Sequence, residues 1–273
     1  MKNYMKKYIL ILVLISFILI FFSCGGKKAS AENNLSYKIE KYEMQSEGCD
    51  TLREDNCAKI IIEFPRITSF ENAKVKDKIN NSIESLFSSN KEIGNGEADI
   101  NSEMKSFITD HEDFISEFPD AFQSWFIERT GEVKLNKGNI FSIDYMEYSY
   151  TGGAHPNTYI MFKNFNLTSG EEITLDEIIP VDKQKELTDI AETEFRKLKE
   201  LTPDADLGQA GFWFENNEYY LSDNFLISDS SLVFYYNNYE ITAYSFGPTE
   251  LIIPLSKIKS LVGEKSLLNK LIE

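Results

Sequence analysis

The first strand-like pattern of the chain lies near its N-terminal end. Apolar and charged residues alternate over residues 35–44, and residues 58–64 (AKIIIEF) form a second apolar run that stops at Pro65. A period of two is typical of a half-buried β-strand, and proline interrupts the ladder of backbone hydrogen bonds. The pattern predicts two antiparallel strands that open the fold as a hairpin.

The period then changes from that of a strand to that of a helix. Apolar residues recur at every third or fourth position over residues 72–87 and again over residues 100–118, where Pro119 ends the pattern. This spacing predicts two amphipathic helices joined by a polar loop. His111 lies between two acids, and we expect it on the solvent-exposed face of the second helix.

The second half of the chain is rich in aromatic, strand-like runs separated by turn residues. The predicted strands span residues 122–135, 140–150, 158–167, 224–227, 231–236, 240–244 and 250–254. The predicted helices span residues 182–201 and 255–261, with a continuation at residues 266–272. This order predicts an α+β fold, in which amphipathic helices pack on one face of an antiparallel sheet.

Composition and charge narrow the class of protein. The 273 residues are 42% hydrophobic and 13% aromatic, which supports a substantial core and argues against a disordered chain. The formal net charge is −16, so the chain would repel the phosphates of nucleic acids, and we exclude that class of partner. The acidity either serves solubility alone or attracts a basic partner.

The N-terminus has the layout of a bacterial secretory signal. Three lysines precede an apolar run at residues 8–22, which is short for a membrane-spanning helix. With Cys24 directly after this run and Ser23, residues 1–23 resemble a lipoprotein signal peptide, which implies cleavage before Cys24 and lipid attachment to it. The alternative is an uncleaved N-terminal anchor. Either form places the folded part outside the cytoplasm, anchored to the inner or outer membrane through a polar tether at residues 24–34.

Removal of the signal and lipid attachment to Cys24 would leave two cysteines for pairing, and removal of the signal would make the chain more acidic. Losing residues 1–23 takes away three lysines and no acid, which changes the formal net charge from −16 to −19. Cys49 and Cys57 are close in sequence, and in an oxidising compartment such a pair predicts a disulfide. A metal site is disfavoured because no further Cys or His lies nearby to complete a ligand set.

Motifs of known catalytic chemistry are missing from the sequence. It has no Gly-x-Ser-x-Gly elbow, no P-loop, no Gly-x-Gly-x-x-Gly and no His-x-x-x-His pair. The thiols are not available as nucleophiles if they form a disulfide. We therefore expect no cofactor, no metal and no catalytic residues.

The segment YSYTGGAHPN at residues 148–157 is the most unusual turn in the chain. Its two glycines permit positive φ and leave amide groups uncovered, which suits a carbonyl, a carboxylate or a sugar hydroxyl. Its histidine can donate to or accept from such a ligand. The candidate ligand-binding residues are Tyr150, Thr151, Gly152, Gly153 and His155. The alternative is a tight structural connection whose histidine bonds to a backbone carbonyl.

Several segments carry a resemblance to a known family. They are YSYTGGAH at residues 148–155, NFNLTSG at 164–170, LDEII at 175–179, YEITAYSFG at 239–247 and IIP at 252–254. Together they resemble the extracytoplasmic domain of RsiV-type anti-sigma factors. The region from the first strand to residue 87 is similar to the companion domain that precedes it, as in the deacetylase PdaC. The resemblance implies two consecutive subdomains, at residues 35–121 and 122–273.

The resemblance also implies a function at the cell surface. RsiV binds lysozyme through this domain, and PdaC acts on peptidoglycan. This sequence has only seven residues before its apolar run, too few for a sigma-binding segment, and it lacks the NodB-type catalytic domain. We therefore expect a lipid-anchored envelope binding protein whose partner is a basic, lysozyme-like protein or a peptidoglycan fragment. The alternatives are a cell-wall hydrolase or deacetylase using His155 and nearby acids, and a structural envelope lipoprotein.

Overall fold

The computed structural model describes residues 33–47, 49, 56–88, 99–121 and 123–272. The predicted signal peptide, Cys24, and all of the predicted tether except its last two residues lie outside the described residues. The described residues belong to one compact unit. None of their helices is long and apolar enough to cross a membrane.

Six strands form the larger sheet. They are β1 (Ser36–Gln45), β2 (Ala58–Ser69), β3 (Trp125–Thr130), β4 (Val133–Lys137), β5 (Ile140–Tyr150) and β6 (Asn157–Asn166). β1 and β2 pair antiparallel, which confirms the predicted opening hairpin. β5 pairs with β3 and β4 along one edge and with β6 along the other, so β6 is an edge strand.

One strand pair in this sheet is parallel. Helices α1 (Ala73–Phe87) and α2 (Ile100–Glu117) lie between β2 and β3 in the chain. Their crossover returns the chain to the same end of the sheet, so β3 runs parallel to β2. Asn72 caps α1, with its side chain accepting from the backbone N–H of Lys74 and Val75.

Three strands form the smaller sheet: β7 (Phe225–Ile227), β8 (Ser231–Tyr236) and β9 (Thr249–Pro254). The remaining helices are α3 (Leu175–Ile178), α4 (Val181–Leu198), α5 (Leu255–Ile258) and α6 (Asn269–Ile272). The prediction of a strand at residues 240–244 is wrong. Tyr239 has φ +64° and a 3-10 turn begins at Tyr244, so the chain bends and only Thr242 forms a bridge, to Phe212.

Two hydrophobic cores support the two sheets. The first lies between the larger sheet and helices α1 and α2, and its most buried side chains include Ile60, Phe64, Ile79, Phe87 and Phe141. The second surrounds the smaller sheet and α4, and includes Leu187, Phe195, Leu232, Phe234 and Tyr236. The predicted α+β class is confirmed. The larger sheet combines β1 and β2, which precede the predicted boundary between residues 121 and 122, with β3 to β6, which follow it. The subdomain boundaries stay a prediction.

The predicted disulfide is confirmed. Cys49 and Cys57 are bonded and join the end of β1 to the start of β2. Next to the bridge, the N–H of Ser46 donates to the carbonyl of Ala58 at 2.9 Å. A loop this short contributes roughly 2–3 kcal/mol on the chain-entropy model.

Candidate functional site

The candidate residues lie at the turn between β5 and β6. The strand ladder ends at the pair Ser149 and Asn157. Beyond it, Gly152 has φ +106° and Gly153 has φ +101°, a backbone conformation that side chains with a Cβ rarely adopt. The hydroxyl of Tyr150 donates to the carbonyl of Gly153 at 3.0 Å and holds the turn closed. The glycine pair is therefore required by the backbone path.

The amide groups of this turn are uncovered. Within the described residues, the backbone N–H groups of residues 151–155 have no protein acceptor. Thr151, Gly153, Ala154 and His155 are exposed. These amides are donors for water or for a ligand that supplies an oxygen acceptor.

His155 stacks on a tyrosine from the second half of the chain. Its ring centroid lies 4.0 Å from that of Tyr244, with 18° between the ring planes. Nδ1 of His155 lies 2.9 Å from the carbonyl oxygen of Pro156, and the hydroxyl of Tyr244 donates to the same oxygen at 3.2 Å. A carbonyl only accepts, so Nδ1 carries the proton, and Nε2 of the neutral ring is an acceptor. The histidine thus makes the carbonyl bond of the structural alternative and remains exposed to solvent.

Tyr239 adds a third ring beside this pair. Its ring centroid lies 5.5 Å from that of Tyr244, and it is 54% exposed. A φ of +64° is strained for so bulky a residue. Hydrogen bonds within the turn hold it there, since Asn237 N–H donates to Glu240 Oε2 at 2.8 Å and Glu240 N–H donates to the Asn237 carbonyl at 3.1 Å. Such strain concentrates at functional sites. We call His155, Tyr239 and Tyr244 the ring cluster.

Asparagine side chains bring the two halves of the ring cluster together. The amide of Asn237 bonds to both the N–H and the carbonyl of Ile160 on β6, at 2.8 and 2.9 Å. Asn224 bonds in the same way to the N–H of Phe162 and the carbonyl of Ile160, and Asn164 bonds to the backbone of β7. These amides occupy the open edge of β6. They fix the segment carrying Tyr239 beside the β5–β6 turn.

Gln123 lies against the turn on another side. A Cβ on Gly152 would be 1.7 Å from Nε2 of Gln123, so only a glycine permits this approach. The N–H of Gln123 donates to Oδ1 of Asn56 at 2.9 Å, and its carbonyl accepts from Nε2 of His111 at 3.0 Å. Sequence reasoning missed Gln123, because nothing in the pattern around it marks a contact with a residue 29 positions later.

The prediction that His111 is exposed is wrong. It is 2% exposed and packs edge-on against Trp125, with ring centroids 5.3 Å apart. The neighbouring acids misled the prediction, since helical spacing from Met104 and Ile108 places position 111 on the buried face of α2. Its role is to hold the Gln123 carbonyl.

A buried ion cluster joins α2 to the larger sheet. Arg129 donates to Glu103 at 2.6 Å, to Glu147 at 2.7 Å and to the carbonyl of Phe87 at 3.0 Å, while the hydroxyl of Tyr145 donates to Glu147 at 2.9 Å. Burial acts to lower the pKa of Arg129, but the bond to Glu147 and the nearby charges raise it above its usual value, so it stays charged. Burial raises the pKa of Tyr145. We interpret this cluster as structural.

The described residues show which groups could serve as metal ligands or as catalytic partners of His155. No group of three or more His, Cys, Asp or Glu among them is arranged to hold a metal ion. The hydrolase alternative requires carboxylates within hydrogen-bond reach of His155. Among the described residues, the ring of His155 hydrogen-bonds to the carbonyl of Pro156 and to no carboxylate.

Two family models match consecutive parts of the chain. Residues 52–158 match the model described as Deacetylase PdaC, and residues 172–256 match Protein of unknown function (DUF3298). His155 lies in the first match, whereas Tyr239 and Tyr244 lie in the second. The resemblance to a PdaC-type region followed by a domain of unknown function is confirmed, and the link to RsiV stays a prediction.

Solved structures share the fold. A crystal structure of a DUF3298 family member from Bacteroides fragilis has a TM-score of 0.73 at 23% identity, over 88% of this chain and 98% of that one. A DUF3298 family protein from Pseudomonas aeruginosa has a TM-score of 0.57 at 15% identity, over 85% of this chain and 96% of that one. At these identities the likeness concerns the fold alone. No curated protein matches the chain.

Proposed function

We propose that this chain is a cell-envelope binding protein that recognises glycan at the ring cluster. One observation carries the proposal: the exposed ring of His155 stacks on Tyr244 at 4.0 Å, in a turn whose N–H groups have no acceptor within the described residues. The aromatic rings of His155 and Tyr244 thus lie beside backbone N–H groups that can donate to a ligand. The matches to a PdaC-type region and to DUF3298 are compatible with this role and do not name a ligand.

The chemistry of the ring cluster suits a sugar. The C–H groups on one face of a pyranose carry partial positive charge and pack against the electron-rich face of an aromatic ring. Hydroxyl groups of the sugar donate to Nε2 of His155, and its oxygens accept from the turn amides. Tyr239 is held in a strained conformation that keeps its ring beside Tyr244.

Co-sedimentation with purified cell-wall sacculi tests this proposal. Residues 31–273, the compact unit, are expected to pellet with sacculi. Tyr244→Ala is expected to weaken binding roughly tenfold or more, since anchoring aromatics dominate interface energies. Phe118→Ala, which removes a 49% exposed ring directly after α2, is the matched control and is expected to bind normally. Equal binding by both variants, or none by the parent, contradicts the proposal.

A second candidate ligand is a basic protein of the lysozyme type. The formal net charge of −16 favours it, because opposite charge speeds association and is screened by salt. Titration of c-type lysozyme into the same unit is expected to give saturable binding that weakens from low to moderate salt. No saturable binding at either salt concentration excludes this partner.

We further propose that Cys24 carries a lipid that anchors the protein to the envelope. The replacement Cys24→Ser is expected to abolish lipid labelling and to change the processing of the N-terminal segment. Unchanged processing in the variant would favour the uncleaved anchor instead.

A further inference from the structure

We infer that Gln123 is a ligand-binding residue of this site and selects glycans that carry N-acyl groups, such as acetamido sugars. The inference rests on the proposed glycan function and names its ligand class.

The backbone of Gln123 is fixed from two elements. Its N–H bonds to Asn56, beside the disulfide, and its carbonyl bonds to the buried His111 on α2. The following residues are also fixed, since the N–H of Cys57 donates to Ser124 Oγ at 3.3 Å and the N–H of Trp125 donates to the Cys57 carbonyl at 2.9 Å. Gln123 therefore approaches the turn from a backbone that hydrogen bonds hold in place.

The side-chain amide of Gln123 can donate hydrogen bonds to a ligand. It is half-buried against Gly152, and within the described residues its amide group has no hydrogen-bond partner. The N–H groups of residues 151–155 are equally free of acceptors there. Two sources of N–H donors thus meet at one place, where the missing Cβ of Gly152 makes room for the glutamine amide.

Such a set of donors needs an oxygen acceptor from the ligand. A carboxylate and an acyl carbonyl both qualify, but the protein carries a formal net charge of −16 and repels an anion. A hydroxyl accepts less strongly and needs an acceptor of its own. The neutral carbonyl of an N-acyl group fits best, with the sugar ring that bears it on the ring cluster.

The experiment compares two β-1,4-linked hexasaccharides, of N-acetylglucosamine and of glucose, by calorimetric titration into the full chain in detergent. The parent is expected to bind the N-acetylated sugar about three- to tenfold more tightly, the range of one or two neutral hydrogen bonds. Gln123→Ala is expected to abolish this preference. Gln123→Glu keeps the shape, removes the donors and is expected to do the same.

A matched control and three outcomes complete the test. Gln184 on α4 donates its amide N–H to the Ile179 carbonyl, and the variant Gln184→Ala is expected to retain the preference. A preference that survives in both Gln123 variants overturns the inference. Equal binding of both sugars, lost in Tyr244→Ala, overturns it and leaves the proposed function standing. Binding of neither sugar overturns both.

Discussion

The two histidines of the chain make similar bonds in opposite surroundings. His111 donates to the carbonyl of Gln123 at 3.0 Å, and His155 donates to the carbonyl of Pro156 at 2.9 Å. Each also packs against one aromatic ring. Yet His111 is 2% exposed in the region under α2, whereas His155 is open to solvent at the β5–β6 turn.

We interpret the buried region as structural support and the turn as the proposed recognition surface. All the polar groups named for the buried region bond to each other or to the backbone, and they fix a segment in place. The turn instead leaves one histidine nitrogen and several amides without protein partners in the described part of the chain. Gln123 connects the two regions, since its backbone belongs to the first and its side chain contacts the second.

The largest effect is expected at the buried ion cluster. Arg129→Met removes the buried guanidinium that pairs with Glu103 and Glu147, and it is expected to lower the free energy of unfolding by about 3–5 kcal/mol. Arg66→Met is the control, because Arg66 pairs with Glu84 at 3.0 Å at a partly exposed site and should cost about 1 kcal/mol or less. Urea unfolding measures both. Equal losses would mean that the region under α2 is not the structural support.

The histidine pair gives the next contrast. His111→Ala removes a buried ring and its bond to Gln123, so it is expected to cost about 2–4 kcal/mol of unfolding free energy. His155→Ala should change stability by about 0.5 kcal/mol or less, while weakening sacculus binding. Thermal unfolding and co-sedimentation of the two variants measure this. A stable His111→Ala, or an unstable His155→Ala, would contradict the comparison.

The two glycines of the turn provide the finest test. Gly152→Ala and Gly153→Ala share the strain of a positive φ, about 1–3 kcal/mol each. Only Gly152→Ala also displaces Gln123, because nothing lies within 4 Å of a Cβ at Gly153. We expect Gly152→Ala to cost about 1 kcal/mol more. The excess should vanish when Gln123→Ala is added to both, measured as a double-mutant cycle. An excess that persists would place its origin outside the Gln123 contact.

Local patterns predicted most elements of the fold. The opening hairpin, the disulfide and the three long amphipathic helices α1, α2 and α4 followed from periodicity and composition. The parallel pairing of β2 with β3 did not, because strand order is decided by the crossover through α1 and α2. The strand expected at residues 240–244 failed because the left-handed backbone at Tyr239 bends the chain. A helical count from Met104 would have placed His111 correctly.

The sequence marks only some of the residues that meet at the candidate site. The Gly-Gly turn and His155 stand out in the sequence, and the structure places them at one hairpin end. Tyr239 and Tyr244 were not predicted as site residues, since the contact of Tyr244 with His155 spans 89 positions and Tyr239 joins the cluster only through Tyr244. Gln123 had no signal, because a glutamine between a helix and a strand is ordinary and the reason for Gly152 lies in three dimensions. The periodicity of apolar residues carries no information about contacts between residues that are distant in sequence.

The most direct test of the central claim is an NMR titration of the full chain with the N-acetylglucosamine hexasaccharide, following the backbone amide signals. We predict saturable shifts for Gly152, Gly153 and His155, with the signals around Arg129 unchanged. Saturable shifts centred instead on the groove lined by Lys74, Lys78 and Lys163, or no shifts at the turn, would contradict the account.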